Sequence, residues 1–257
     1  TINEFMWTIG IPVYNGYGLT ETSPALTLSS RWEVRFDSVG KVLEKTELKV
    51  AEDGELLARG PQVMKGYYKN DEATRDAFED GWFKTGDIAR IDDEGFVYII
   101  DRKKELIVTA GGKNIAPQPI ENELKLDKYI SEAIVFGDRK PFLVALLTPN
   151  IERLIDLSRE EKLDYLDTDE LVKSVKIREI YKHRIDEINK NFPPYSTIKY
   201  FALAPREFSI EGGELTPTLK MKRKEIYSKY KQVIDELYRS NGNGFVHHPK
   251  TVEGEEK

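Results

Sequence analysis

The stretch Tyr98–Pro117, YIIDRKKELIVTAGGKNIAP, sets how the rest of the chain is divided. Tyr98-Ile99-Ile100 has the aromatic and β-branched character of a buried strand, and Leu106-Ile107-Val108 resumes as a second one. Between them run five consecutive charges, Asp101-Arg102-Lys103-Lys104-Glu105, and Gly111-Gly112 ends the second strand in a loop. Five charges cannot sit unpaired in a core, so they are read as a solvent-facing joint. A joint rich in long flexible side chains, set between two packed bodies, is where a hinge is expected. Residues 1–104 and 105–239 are accordingly read as two domains, and the polar residues 240–257 as a disordered tail.

The 257 residues suit one large or two ordinary domains. A hydrophobic content of 39% with 33% charged residues fits a globular protein with a polar surface, and a net charge of −6 argues against nucleic acid as the main partner. The absence of cysteine removes disulfides, thiolate metal sites and a cysteine nucleophile together. The three histidines, His183, His247 and His248, are too few and too badly spaced for a metal site. There is no apolar run of the length that spans a bilayer. Thr1–Ile11 lacks the basic start and cleavage site of a signal peptide, so the cytoplasm is the expected location. The first residue is not methionine and the start is abrupt, which leads to the expectation of a piece of a longer chain.

Upstream of the joint the pattern is short strands and turns. A helix end running into a strand at Ile11 and Val13 is expected first. Gly40–Leu43, Glu47–Val50 and Leu56–Arg59 read as strands, with Glu52-Asp53-Gly54-Glu55 as a hairpin turn, and Asp71–Phe78 as a short helix. Asp80-Gly81 and Asp92-Asp93-Glu94-Gly95 are further turns. So much antiparallel β structure predicts a barrel-like or sandwich-like subdomain. Downstream, helices are expected at Pro117–Leu126, Ile151–Leu163, Asp169–Phe192 and Met221–Tyr238, and strands at Glu132–Phe136, Phe142–Thr148 and Ile198–Leu203. Strands alternating with helices predict a compact α/β domain. The fold class is therefore α/β (α+β).

Three stretches carry candidate chemistry. Tyr17-Gly18-Leu19-Thr20-Glu21 joins an aromatic face, a glycine that lets a ligand near the backbone, a hydroxyl and a hard oxygen donor suited to magnesium. A decorated surface turn explains the same residues. Asp87, after Thr85-Gly86, can accept two hydrogen bonds from a ribose diol, or simply cap a turn. Lys220 lies at the tip of a loop beginning at Glu211, followed by Lys222, Arg223 and Lys224. It reads either as a mobile point charge for phosphate or carboxylate oxygens, or as part of the basic first turn of a solvated helix. Helix electrostatics, which favour acidic residues at that end, speak against the second.

Taken in order, these stretches resemble the adenylate-forming superfamily of acyl-CoA synthetases, adenylation domains and luciferases. The resemblance rests on Tyr17–Glu21, Gly54-Glu55-Leu56 through Gly60 with Gly66-Tyr67-Tyr68, Gly81–Asp87, Asp101–Glu105 with Gly111–Ile115, and Lys220. The segment Ile151–Asn191 and the ending Leu215–Arg223, with Leu219 where many relatives carry glycine, are similar to long-chain fatty acid–CoA ligases. The family's phosphate loop lies upstream of anything resembled here. The expectation is thus the end of the large AMP-binding domain plus the whole mobile C-terminal domain, inactive without the preceding portion.

The resemblance implies ATP-dependent activation of a fatty acid to acyl-AMP and pyrophosphate, then transfer of the acyl group to CoA with release of AMP. By it, Tyr17 and Gly18 line the adenine, Thr20 holds the α-phosphate, Glu21 binds Mg²⁺, and Asp87 and Arg102 hold the ribose. Lys104 is implied as the hinge residue, Lys220 as the adenylation lysine, and Gly111-Gly112 as the loop along which CoA passes. Lys113 is either a contact to CoA phosphate or a solvated loop lysine. The implied partners are ATP, fatty acid, CoA and the preceding part of the same chain, with peripheral membrane contact through fatty-acid supply left open. A relative that loads a carrier protein and a non-catalytic nucleotide-binding module stand as alternatives.

Overall fold

The computed structural model describes residues 2–239, so the tail reading for 240–257 lies outside the described residues. Packing divides the chain between Leu106 and Ile107.

The first unit opens with α1 (Ile2–Thr8). No strand follows at Ile11 or Val13. The Val13 carbonyl instead accepts the Trp7 indole N–H at 3.0 Å, and the Ile11 N–H turns back to Met6 O at 2.9 Å. The strands are β1 (Gly16–Tyr17), β2 (Thr27–Leu28), β3 (Lys41–Val42), β4 (Glu47–Val50), β5 (Glu55–Arg59), β6 (Phe78–Glu79), β7 (Trp82–Ile91) and β8 (Val97–Arg102), with α2 (Asp71–Ala77) before β6. β1, β2 and β3 form one antiparallel sheet. β4, β5 and β7 form the second, in which the long β7 pairs with β6 through Trp82 and Phe83 and with β8 through Asp87–Ile91. The β-rich subdomain is therefore built from two open sheets; among the described residues neither closes into a barrel. Leu56, Leu57 and Ala58 of β5 are buried. Ala58 packs in a cluster with Leu26 and Phe83, and Leu56 in a neighbouring one with Ala89 and Val97.

The charged joint differs from its sequence reading. β8 continues through Asp101 and Arg102, and Asp101 is buried. A strand carries charge when the opposite strand supplies partners, and here Arg102 lies directly opposite Asp87. Only Lys103–Glu105, a single 3₁₀ turn, breaks the extended chain.

The second unit starts with the hairpin β9 (Ile107–Val108) and β10 (Asn114–Ile115). It continues with α3 (Pro117–Lys125), β11 (Ile130–Phe136), β12 (Leu143–Pro149), α4 (Ile151–Glu160), α5 (Thr168–Leu171), α6 (Val175–Asn189), β13 (Ile198–Leu203) and α7 (Arg223–Arg239). β12 is central, antiparallel to β11 and parallel to β13. Its continuous apolar run follows from having both faces covered. Leu143, Ala145 and Leu147 pack with Ile120, Leu124, Leu154, Ile177 and Tyr181. Val144 and Leu146 pack with Ile226, Tyr230, Val233 and Leu237 of α7. The helix expected over Asp169–Phe192 is two helices. Asp167 caps the first by accepting the Glu170 N–H at 2.8 Å, and Ser174 leaves the helical region to start the second. α4 stops before Leu163 because Lys162 turns left-handed at φ 51°.

Candidate nucleotide site and lysine loop

In the first unit, pairing of β7 with β8 sets Asp87 opposite Arg102, and the carboxylate accepts Arg102 Nε at 2.8 Å through Oδ1. Its Oδ2 accepts the Tyr17 hydroxyl at 2.5 Å. The Asp87 side chain is 4% exposed, while that of Arg102 is 55% exposed. Tyr17 is half-buried, its ring packed against both apolar clusters of the unit. Burial first, and then the hydrogen bond to Asp87, hold its phenol well above the ordinary range, so it stays a donor. Tyr17, Asp87 and Arg102, read separately from the sequence, are thus one hydrogen-bonded chain ending in a solvent-facing guanidinium.

Residues to which the sequence reading gave no role of their own support this chain. Gly86 adopts φ +73°, and its N–H donates to Oε1 of the buried Glu55 at 2.9 Å. Oε2 of Glu55 accepts Lys103 Nζ at 2.7 Å, and Asp53 takes the same ammonium at 2.6 Å. The hydrogen bonds it donates to Asp53 and then to Glu55 hold the Lys103 ammonium above its ordinary value. Thr85 Oγ1 donates to Leu56 O at 2.7 Å and accepts the Asp87 N–H at 3.2 Å. The signal available in sequence was a carboxylate opening the otherwise apolar run Glu55-Leu56-Leu57-Ala58. Replacing Glu55→Gln is expected to lower stability by about 1.5–3 kcal/mol, the worth of a hydrogen bond to a charged group. A urea midpoint equal to that of the parent chain would count against this support.

Thr20 and Glu21 lie in a 3₁₀ turn, Thr20–Thr22, with Thr20 exposed. The Glu21 carbonyl accepts the Met64 N–H at 2.7 Å, and its Oε1 accepts the Tyr67 hydroxyl at 3.1 Å. Among the described residues no group of three or more His, Cys, Asp or Glu is arranged to hold a metal. Glu21 offers one half-exposed carboxylate, which fits Mg²⁺, an ion commonly held by one or two carboxylates with phosphate and water completing its shell. Gly18 is needed for space: a Cβ there would lie 1.8 Å from Pro24 O. Lys104 lies exposed in the 3₁₀ turn after β8.

In the second unit, Gly111 and Gly112 form the tip between β9 and β10, closed by Thr109 N–H to Lys113 O at 3.0 Å. Gly112 has φ +74° with open space where a side chain would be. Lys113 Nζ lies 5.7 Å from the centre of the Tyr195 ring. Lys220 is exposed, and its ammonium makes no ion pair among the described residues. Its backbone is held: Lys220 O accepts Thr216 N–H at 2.8 Å, and Lys220 N–H donates to Thr216 Oγ1 at 3.0 Å. Leu219 adopts φ +60°, a conformation that favours glycine. Helix α7 starts at Arg223, so Lys220 precedes the helix rather than forming its first turn.

The sequence matches the family of the AMP-binding enzyme C-terminal domain over residues 104–242 and that of the AMP-binding enzyme over residues 1–68. Asp87 and Arg102 fall between the two matched segments. The chain is 39% identical over 238 residues to the long-chain-fatty-acid–CoA ligase FadD15 of Mycobacterium tuberculosis, covering 92% of this chain and 40% of that protein. It is 35% identical over 261 residues to the long-chain-fatty-acid–CoA ligase ACSBG1 of Homo sapiens, covering 92% of this chain and 36% of the relative. The chain therefore spans about two fifths of the length of these curated relatives. Among solved structures it resembles the o-succinylbenzoate CoA synthetase MenE of Bacillus subtilis in complex with AMP, with a TM-score of 0.63 and 26% identity over 88% of this chain and 43% of that one. The A domain of a carboxylic acid reductase from Segniliparus rugosus, with a TM-score of 0.71 over 93% of this chain and 37% of that one, shares the fold at 18% identity. The C-terminal family match alone takes in more than half of the sequence and contains the hairpin glycines and Lys220, while the other match contains Tyr17 and Glu21. The chain belongs to the AMP-binding enzyme family.

Proposed function

We propose that this chain supplies nucleotide-binding and catalytic residues to an ATP-dependent ligase joining a long-chain fatty acid to CoA. The observation that carries the reading is the buried Asp87 gripped by Tyr17 and Arg102, a carboxylate ready for a ribose diol beside a solvent-facing cation. The acyl substrate and the CoA acceptor come from the relatives FadD15 and ACSBG1, both named long-chain-fatty-acid–CoA ligases.

In this proposal a carboxylate oxygen of the fatty acid attacks the α-phosphorus of ATP and pyrophosphate leaves. The CoA sulfur then attacks the acyl carbonyl and AMP leaves. Negative charge builds at the phosphate in the first step, so the unpaired ammonium of Lys220 acts as an electrostatic stabiliser. Thr20 donates to the α-phosphate, and Tyr17 packs on the adenine. Mg²⁺ held through Glu21 neutralises phosphate charge when bound. Gly111 and Gly112 leave room for the CoA arm, with Lys113 beside it.

Lys104 is proposed as the hinge between the two half-reactions. Proline at this position fixes φ and removes a donor. Lys104→Pro is therefore expected to slow thioester formation at least tenfold while leaving acyl-AMP synthesis within about twofold, since lid and domain steps set many turnover rates. Unchanged thioester formation in stopped-flow assays counts against the hinge.

The deciding experiment incubates the full-length chain with ATP, Mg²⁺, CoA and fatty acids of several lengths, with products followed by mass spectrometry. Acyl-CoA with AMP supports the proposal and reports chain preference. Acyl-AMP accumulating without thioester points instead to carrier loading, and no product with any acid points to a binding role.

A further inference from the structure

The loop that carries Lys220 is held at both feet by buried carboxylates. On its N-terminal side, Glu214 is 1% exposed. Its Oε1 accepts Arg206 Nη2 and Lys229 Nζ, each at 2.6 Å, and its Oε2 accepts the Ser209 N–H at 3.3 Å. Burial alone pushes the Glu214 carboxyl up, but these partners outweigh it and hold the group below the ordinary carboxylate range. On the C-terminal side, Arg223 Nη2 meets Oε2 of Glu121 at 2.5 Å, and Oε1 of Glu121 accepts the Val135 N–H at 2.7 Å. Glu121 is 2% exposed and lies in α3, which packs against β11. The two feet are joined directly: Lys222 N–H donates to Glu214 O at 2.8 Å, and Leu215 bridges Met221.

Arg223 is the first residue of α7, where the helix dipole disfavours a cation. A guanidinium there needs a compensating anion, and Glu121 supplies it from across the unit. The pair therefore fixes the residue three places after Lys220 to the α3–β11 framework.

We propose that Glu121 and Arg223 are positioning residues for Lys220, setting the base of its loop so that the free ammonium is presented to the α-phosphate in one place. This rests on the reading of Lys220 as the adenylation lysine. A misplacement of about 1 Å costs on the order of 100-fold in rate, which sets the scale of the expected effect.

The test uses the full-length chain and measures the half-reactions separately, adenylation by pyrophosphate exchange and thioester formation from supplied acyl-AMP. Arg223→Lys, which keeps the charge and loses the planar fork, and Glu121→Gln are each made alone and in a Lys220→Ala background. The expected result is an adenylation loss of about 10- to 100-fold for each single variant. Thioester formation should stay within twofold, and neither change should add a loss once Lys220 is alanine. Equal losses in both half-reactions, an undiminished loss in the Lys220→Ala background, or parent-like adenylation in Arg223→Lys overturns the positioning role. If Glu121→Gln does not fold, Arg223→Lys alone decides between these outcomes. Lys220→Ala with parent-like adenylation overturns the underlying reading instead, and is recognised because it needs neither of the other variants.

Discussion

Lys220→Ala in the full-length chain is expected to lower acyl-AMP formation by about 10²- to 10³-fold, the cost of losing one preorganised donor to developing charge. Thioester formation from supplied acyl-AMP should be unchanged. The asymmetry follows from the proposed role, and the structure around the residue predicts an intact fold. The ammonium makes no ion pair among the described residues and is exposed, so its removal leaves no buried partner uncompensated. The backbone bonds of the loop, Thr216 N–H to Lys220 O and Lys220 N–H to Thr216 Oγ1, do not involve the side chain. Stability should therefore hold within about 0.5 kcal/mol, as for other surface substitutions. Separate assays of the two half-reactions, with a thermal melt beside them, check this, and an equal loss in both would remove Lys220 from its proposed role.

Asp87→Ala is expected to weaken AMP binding by about 100-fold or more. Two ribose hydroxyls bonded to a carboxylate are worth roughly 1.5–3 kcal/mol each, and every 1.4 kcal/mol is about tenfold in affinity. The same change frees Tyr17 and Arg102, so the Tyr17 ring loses its anchor as well. Tyr17→Phe separates these contributions. It keeps the ring in the two apolar clusters and removes only the donor to Asp87, at a cost in stability of about 1.5–3 kcal/mol, the worth of a hydrogen bond to a charged group. Isothermal titration with AMP on both variants reads the difference. Comparable losses in the two would mean that the phenol, not the ribose carboxylate, dominates the site.

Much of this architecture was legible in the sequence where the local signal and the tertiary outcome agree. Glu47–Val50 and Ile198–Leu203 form strands with the bounds their pattern predicts. The candidate ligand residues Tyr17, Asp87 and Arg102 also come together. One misreading lay at the joint. Asp101 and Arg102 looked like a loop because charge is a local property, whereas the partner that lets Arg102 remain in a strand comes from β7. The supports were invisible for the same reason: Glu121 and Arg223 are 102 residues apart, and Glu55 and Lys103 are 48 apart. The break at Ser174 turned on backbone conformation, whereas the apolar stripe that suggested the helix starts only at Ile177.

The clamp on Lys103 bears on mechanics. Asp53 and Glu55 grip its ammonium from the β4–β5 hairpin, so residue 103 is tied to the sheet by its side chain as well as by the chain itself. Lys104, next along, carries no such tether among the described residues. The side-chain tether thus ends at residue 103, and Lys104 is held by the backbone of its 3₁₀ turn, closed by Leu106 N–H to Lys103 O at 3.3 Å. On the proposed reading of Lys104 as the hinge, the tether at residue 103 keeps the strand carrying Asp101 and Arg102 in register with Asp87.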